Sequence, residues 1–275
     1  MRILNGQTEG RIQDKIVNSI LSGDYDSAIG SISDILDELY RSIPDSKRIS
    51  YGRVYTIKLL SEYLYDRLVE LDAAVYEIAS RILEGSEDFR CKGVGLGMLS
   101  FYGLRDYGKV LARFESAAAS EHWDVLELAQ MFFRKLIRKH PREMKVYLLQ
   151  LVKSEDPNVR RFVSETLRPV KENAWFYRNP EYPLSILRNM FKESSPYPRT
   201  SVGNNLSDMA RRLPDLVYDL VQELVESGDR NSYWIACRAC RNLVKKEPLR
   251  VMNLLKVDEY KYKERVYRRS DYQGD

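Results

Sequence analysis

Three segments decide the fold: DPNVRRFVSETL (156–167), SPYPRTSVGNNL (195–206) and NSYWIACRACRNL (231–243). Aligned on their last leucines, Leu167, Leu206 and Leu243, they bring Val163, Val202 and Ala239 into one column and Glu165, Asn204 and Arg241 into another. One step further back, ELAQMFF (127–133) puts Gln130 in the polar column, so successive members lie 35, 39 and 37 residues apart. Self-similarity at that period marks stacked helix pairs, because one pair cannot bury its apolar face without neighbours. Equivalent positions of a stack line one wall, which predicts a groove bordered by Gln130, Glu165, Asn204 and Arg241.

Composition agrees with helix throughout. The 275 residues include only 14 glycines and 10 prolines, and Leu, Arg, Glu and Ala are strong helix formers. No segment reads as a paired sheet. One continuous body is expected, since a solenoid grows by addition and escapes the size limit on single cores. Its expected parts are an N-terminal helical cap (1–85), the repeats (86–255) and a basic, tyrosine-rich C-terminal tail (256–275). The periodicity predicts helices at about 8–21, 24–42, 50–67, 70–84, 88–102, 105–119, 122–139, 142–152, 157–168, 183–192, 197–211, 214–226, 231–245 and 248–255. Pro141, Pro157, Pro183, Pro198, Pro214 and Pro248 fall near their starts, where a missing amide proton costs nothing.

Several function classes are set aside by the sequence. No run approaches the roughly 18 apolar residues of a membrane span, and MRILNGQTEGRIQDK lacks an apolar core followed by small residues. A soluble, cytoplasmic monomer without a membrane partner is therefore expected. Cys91, Cys237 and Cys240 are too few for a disulfide framework, which suggests a reducing compartment. Cys237-x-x-Cys240 looks like half a zinc knuckle, but His122 and His140 are the only histidines, so packing against the next repeat is the better account. Neither metal nor cofactor is expected. GVGLG (93–97) follows no expected strand and is not followed by Lys-Ser/Thr, so it reads as close helix packing rather than a phosphate loop.

Charge is unevenly placed. Residues 156–246 hold 15 Lys and Arg against 11 Asp and Glu, which matches the whole chain's excess of +4. Such residues ordinarily solvate helix faces, and a pI near 8.8 is not extreme. Register shifts the balance: Arg160, Arg161 and Arg168 lie on one repeat, Arg199 on the next, and Arg238, Arg241, Lys245 and Lys246 on the last. Stacked, they form a basic strip suited to a phosphate backbone, and nucleic acid becomes the leading partner.

The runs VRRFVSETLRP…W, YPRTSVGNNLSDMARRLPD and WIACRACRNLVKK resemble the AlkC branch of the AlkC/AlkD superfamily of HEAT-like DNA alkylation-repair glycosylases. There the corresponding segments read much like VRR-x-x-SEG-x-R…PW, VRRSVANNLND and W-x-x-RHALR-x-L-x-K. VGLGMLSFYGLRDYGKVLARFESAAASEHWDVLELAQMFFRKLI (94–137) adds to the likeness, which spans roughly residues 90–255. The resemblance implies an all-α, right-handed α-α superhelix of HEAT-like repeats with a concave basic cleft. It also implies a nucleoid-associated role in excising cationic alkylpurines, such as N3-methyladenine or N7-methylguanine, from double-stranded DNA without a cofactor. The branch's immunoglobulin-like domain would begin after about Leu255, where this sequence continues as the tail.

The resemblance also implies site residues. Glu165 matches the glutamate of the SEG motif and Trp175 the tryptophan after it, across a linker about two residues longer than usual. Gln130 stands where the branch carries a second glutamate, and glutamine supplies no negative charge. One turn earlier, Trp123-x-x-x-Glu127 resembles the tryptophan and aspartate four apart in the AlkD branch, and residues i and i+4 share a helix face. Arg160, Arg161, Arg168, Arg199, Asn204, Asn205, Arg238, Arg241 and Lys245 form the expected DNA-binding set. Structural alternatives stand beside these roles: Trp123 as a core residue, Glu165 as a partner of Arg161 or Arg168, and Asn204 and Asn205 as bonds to a neighbouring repeat. Asp208 is expected to anchor Arg211 or Arg212, and Trp234 to be packed. The competing functions are an inactive module for bent or branched DNA and an adaptor for acidic proteins.

Overall fold

A computed structural model describes residues 4–272, without the side chains of 49–51. The last three residues of the expected tail lie outside the described residues, as do residues 1–3 of the N-terminal segment. The chain forms two compact units, Met1–Lys139 and His140–Asp275.

The first unit runs α1 (Gly6–Ile12), a π-helical turn (Gln13–Val17), α2 (Asn18–Ser22), α3 (Tyr25–Ser42), α4 (Asp45–Tyr51), α5 (Arg53–Glu70), α6 (Val75–Glu84), α7 (Phe89–Tyr102), α8 (Tyr107–Ala118) and α9 (Trp123–Lys139). Gly23, at φ 84°, breaks the first helical run, a conformation open to glycine at no steric cost. Asp24 then accepts from the Ser27 amide at 3.1 Å and caps α3. The middle of α7 is buried on every side, against α5, α6 and α9. A Cβ on Gly95 would come within 2.8 Å of both the Ala79 carbonyl oxygen and the Leu83 nitrogen. The GVGLG run is thus a close helix contact, and the expected boundary near residue 85 falls inside this unit, where α6 packs on α7.

The second unit contains α10 (Pro141–Leu151), α11 (Pro157–Thr166), a 3-10 segment (Lys171–Tyr177), α12 (Glu181–Leu187), α13 (Pro196–Met209), α14 (Pro214–Glu226), α15 (Arg230–Ala239) and α16 (Pro248–Leu255). Pro141, Pro157, Pro196, Pro214 and Pro248 open their helices, while Pro183 and Pro198 occupy the third position of α12 and α13. Helix α11 packs on α13 and α13 on α15, with α14 against α13, α15 and α16. The aligned Val163, Val202 and Ala239, with Leu167, Leu206 and Leu243, are all buried between them. That column is the hydrophobic spine predicted from the repeat. Cys240 is fully buried in the same core, and burial pushes its thiol well above the ordinary range.

Two expectations are corrected here. The segment after α16 is folded as an antiparallel hairpin, β1 (Glu259–Tyr262) and β2 (Arg265–Arg268), with Tyr260 opposite Tyr267. The helix expected over 231–245 ends at Ala239. Lys263 turns the hairpin at φ 55°. Both Tyr260 and Tyr267 are buried, and the Tyr260 hydroxyl donates to the Cys237 carbonyl at 2.5 Å, so the hairpin is fastened to α15. Among the described residues no helix is long and apolar enough to cross a membrane.

Candidate functional site

In the second unit the polar column is a ladder of hydrogen bonds between successive repeats. Glu165, on α11, accepts from the Ser201 hydroxyl of α13 at 2.6 Å. Asn204, on α13, accepts at one Oδ1 from Arg238 Nε of α15 at 2.9 Å and from Nη1 of Arg241, in the turn that follows α15, at 2.7 Å. One position further along, Asn205 donates to the Ser164 carbonyl and Asn242 to the Ser207 carbonyl, each at 2.8 Å. Asn205 is fully buried, so of its two sequence readings the bond to a neighbouring repeat is the one observed. Buried polar side chains are mostly hydrogen-bonded, and here each links one repeat to the one before it, although the Asn205 Oδ1 is buried without a partner.

Glu165 is 4% exposed. Besides Ser201, it accepts from Arg168 Nη1 at 3.3 Å and lies 3.9 Å from Arg161 Nη2. Both sequence-neighbour pairings therefore occur at once. Arg168 in turn binds Asp208 on α13 through Nε at 3.1 Å and through Nη2, while Asp208 lies 3.4 Å from Arg211. Asp208 thus joins the expected Arg211 to an Arg168 that the sequence did not pair with it, and Arg212 stacks over Tyr177 instead.

The arginines of the expected DNA set fall into two groups. Arg160 donates to both oxygens of Glu193 at 2.7 and 3.0 Å, to the Ser154 and Glu155 carbonyls and to Ser195 Oγ, so its whole guanidinium is engaged within the fold. Arg168 is likewise paired with carboxylates, and Arg161 covers the Tyr197 ring at 4.3 Å beside Glu165. The second group meets neutral groups. Arg199 donates to Asn231 Oδ1 and lies 4.7 Å above the Trp234 ring. Arg238 covers the same indole at 5.4 Å, and Arg241 and Lys245 face the Tyr262 ring at 4.6 and 5.2 Å. Gly203 allows this approach, since a Cβ there would lie 2.7 Å from Arg238 Cβ. Trp234 is held beneath two cations rather than in the core.

In the first unit, α9 carries Trp123, Glu127 and Gln130. Trp123 is 64% exposed, which corrects the core alternative. Glu127 is half-buried and accepts from the buried Gln130 Nε2. A glutamate at 130 would instead set a second carboxylate against Glu127, so glutamine orients the one acid without repelling it. Trp175, in the second unit, is half-buried, its ring centroid 4.5 Å from Phe176 and 4.9 Å from Tyr182. Its Nε1 is buried without a hydrogen-bond partner.

The sequence reading missed Tyr262, Lys261 and Lys263, which the hairpin brings beside Arg238, Arg241 and Trp234. The alternation Tyr260, Tyr262 in EYKYKERVYR was the available signal.

Three solved structures share the fold. AlkD2 from Streptococcus mutans matches 76% of this chain and 97% of its own with a TM-score of 0.56 at 18% identity. The smu.31 protein of Streptococcus mutans UA159 matches 66% of this chain and 97% of its own, with a TM-score of 0.53 and 18% identity. The Pseudomonas fluorescens alkylpurine DNA glycosylase AlkC, bound to DNA containing an abasic site analog, matches 92% of this chain and 66% of its own, with a TM-score of 0.55 and 20% identity. The chain has the HEAT-like helical-repeat fold of the AlkC/AlkD proteins. By sequence, the uncharacterized protein YhaZ of Bacillus subtilis (strain 168) is 28% identical over 136 residues, 48% of this chain and 38% of YhaZ. The chain thus spans well under two thirds of that relative. No protein-family model matches it.

Proposed function

We propose that this chain is a DNA-repair protein that binds double-stranded DNA containing cationic alkylpurines, of the N3-methyladenine or N7-methylguanine type, and hydrolyses their N-glycosidic bond. The observation that carries the reading is the group of Arg199, Arg238, Arg241 and Lys245, which meet side-chain amides, a phenol and aromatic rings rather than carboxylates, on the fold of a glycosylase that was solved with DNA. Cations without counter-ions, three of them partly buried arginines, suit phosphate oxygens.

The chemistry asks little of the protein. An alkylated purine leaves with the bond's electron pair and is thereby neutralised, while water adds to C1′ of the sugar and yields its proton. The task is to stabilise the oxocarbenium-like sugar electrostatically. Within the second unit Glu165 is the proposed carboxylate and Trp175 the aromatic face; within the first, the exposed Trp123 and Glu127, oriented by Gln130, are proposed separately as an aromatic face and an acid. Arg161 and Arg168 hold Glu165 in place, and Arg199, Arg238, Arg241 and Lys245 bind phosphates.

The test is release of N3-methyladenine from methylated duplex by the wild-type protein and by Glu165→Gln. Release by the former and a large loss in the latter supports the reading. One observation favours a second reading: Glu165 is already engaged by Ser201, Arg161 and Arg168. A module that recognises bent or branched DNA without turnover needs Glu165 only as a brace. Steeply salt-dependent duplex binding by the wild type with no base released selects that reading.

A further inference from the structure

We propose that the C-terminal hairpin completes a pocket on the last repeat that holds a backbone phosphodiester of DNA. The proposal rests on the DNA-binding reading above and names a contact within it. The cleft, about 360 Å³, is bordered by Trp234, Arg238 and Arg241 from α15 and its C-terminal end and by Lys261, Tyr262 and Lys263 from the hairpin. Its remaining lining residues are Cys237 and Tyr260, so four cations border it and no carboxylate does.

This pattern departs from the rest of the same unit. Arg160 and Arg168, also half-buried, each meet carboxylates. Arg238 and Arg241 share the single Oδ1 of Asn204, a neutral atom that offsets neither charge. Burial, and next the charge of Arg241, hold the Arg238 guanidinium below its ordinary range. An anion in the cleft relieves both effects.

The hairpin gives the pocket its rigidity. Tyr260 is tied to the Cys237 carbonyl, and Arg269 to Asp258 Oδ1 at 3.0 Å and the Val257 carbonyl at 3.1 Å. Between exposed Lys261 and Lys263, the Tyr262 hydroxyl accepts from Arg241 Nη2 at 3.2 Å while its ring faces Arg241, Lys245 and Lys263. The bond from Arg241 draws the Tyr262 phenol below its ordinary range. Trp234 already carries Arg199 and Arg238 over its ring, so it is not a free platform for a base. A charged, non-stacking group is the occupant that fits, which selects the phosphodiester over the nucleobase.

The experiment measures duplex affinity against salt for the wild type, Lys261→Ala/Lys263→Ala and Asn204→Asp. Each phosphate contact contributes about 0.9 to the slope of log K against log salt, so the double variant is expected to lose roughly 1 from the slope. Asn204→Asp supplies an internal counter-ion, and is expected to weaken duplex binding with Tm unchanged or raised. In a Trp123→Phe/Trp175→Phe background, inorganic phosphate is expected to perturb the remaining Trp234 emission. A slope identical to the wild type in the double variant overturns the proposal and leaves the DNA reading standing. If the wild type binds no duplex yet phosphate still perturbs Trp234, the DNA reading falls, and the duplex with it as occupant, while the anion pocket is upheld.

Discussion

Replacing Arg160 by methionine separates architecture from DNA contact. Glu193 has a side chain 6% exposed, and both of its oxygens accept from Arg160. Removing one partner of a buried pair strands the other charge, at a cost of about 3–5 kcal/mol. For a unit the size of His140–Asp275 this lowers Tm by roughly 10–15 °C. Arg160→Met/Glu193→Leu is expected to recover much of the loss, because an apolar pair replaces a buried ionic one at little cost. Recovery stays incomplete, since the Ser195 amide and the Ser154 and Glu155 carbonyls also lose partners. The pH dependence has a definite sign. Burial alone raises the Glu193 carboxyl, but the bonds from Arg160 and the Ser195 amide outweigh it and hold the group below its ordinary value. The stabilisation is therefore present above about pH 4.3, the unfolded value of a glutamate, and fades as pH falls through the lower folded value. Thermal scans from pH 7 to pH 3 should show the gap between wild type and Arg160→Met closing, with the salt slope of duplex binding unchanged at pH 7. A Tm within about 1 °C of wild type, or a slope reduced by about 1, refutes the structural assignment of Arg160.

Three further outcomes are expected. Lys135 lies 3.1 Å from the Phe101 ring centroid, and burial lowers its ammonium to about 8; folding thus favours the neutral form, so stability gains as pH rises from about 8 toward the unfolded value near 10.4. Lys135→Met should therefore raise the urea midpoint at pH 7 and show a shrinking advantage at pH 10, and an advantage that grows with pH contradicts this. Gly95→Ala is expected to cost on the order of 1–3 kcal/mol by forcing α6 from α7, and an unchanged Tm would show that the contact yields freely. Trp123→Ala should leave Tm nearly untouched, within about 0.5 kcal/mol for an exposed site, while lowering base release; equal release with equal Tm shows that Trp123 takes no part in release.

The repeat was legible because equivalent residues in a stack meet equivalent surroundings. Val163, Val202 and Ala239 share a column in the sequence for the same reason that they share a core in the structure. The hairpin was not legible: strands of four residues give period-two alternation too little length to stand out, and its turn lacks the Asn-Gly pair that usually marks one. The arginines show a different limit. Arg160 finds Glu193 and Arg168 finds Asp208 across 33 and 40 residues, and a column position does not reveal which cation has such an acid opposite it. Glu165 was legible as a polar position, but its engagement by Ser201 depends on where α13 lies.

The ladder gives the second unit a direction. At Glu165 the column is acidic and its cations are sequence neighbours, Arg161 four residues before it on α11 and Arg168 three after it, just beyond the helix end. At Asn204 it is neutral and receives two guanidiniums, from α15 and from the turn that follows it, whose partners are an amide oxygen, a phenol and aromatic rings rather than acids. Positive charge that is cancelled beside α11 is therefore left uncancelled beside α15, and the hairpin adds Lys261 and Lys263 at that same end. Adding an acid at either place has opposite meanings: a further carboxylate near Glu165 competes for arginines that are already matched, whereas Asn204→Asp neutralises the part of the wall whose charge is free to meet phosphate. If the cationic end were merely a solvated helix face, that substitution would stabilise the fold with no consequence for duplex binding. The two outcomes separate on a single variant, and the separation follows from the shared Asn204 oxygen rather than from the fold's relatives.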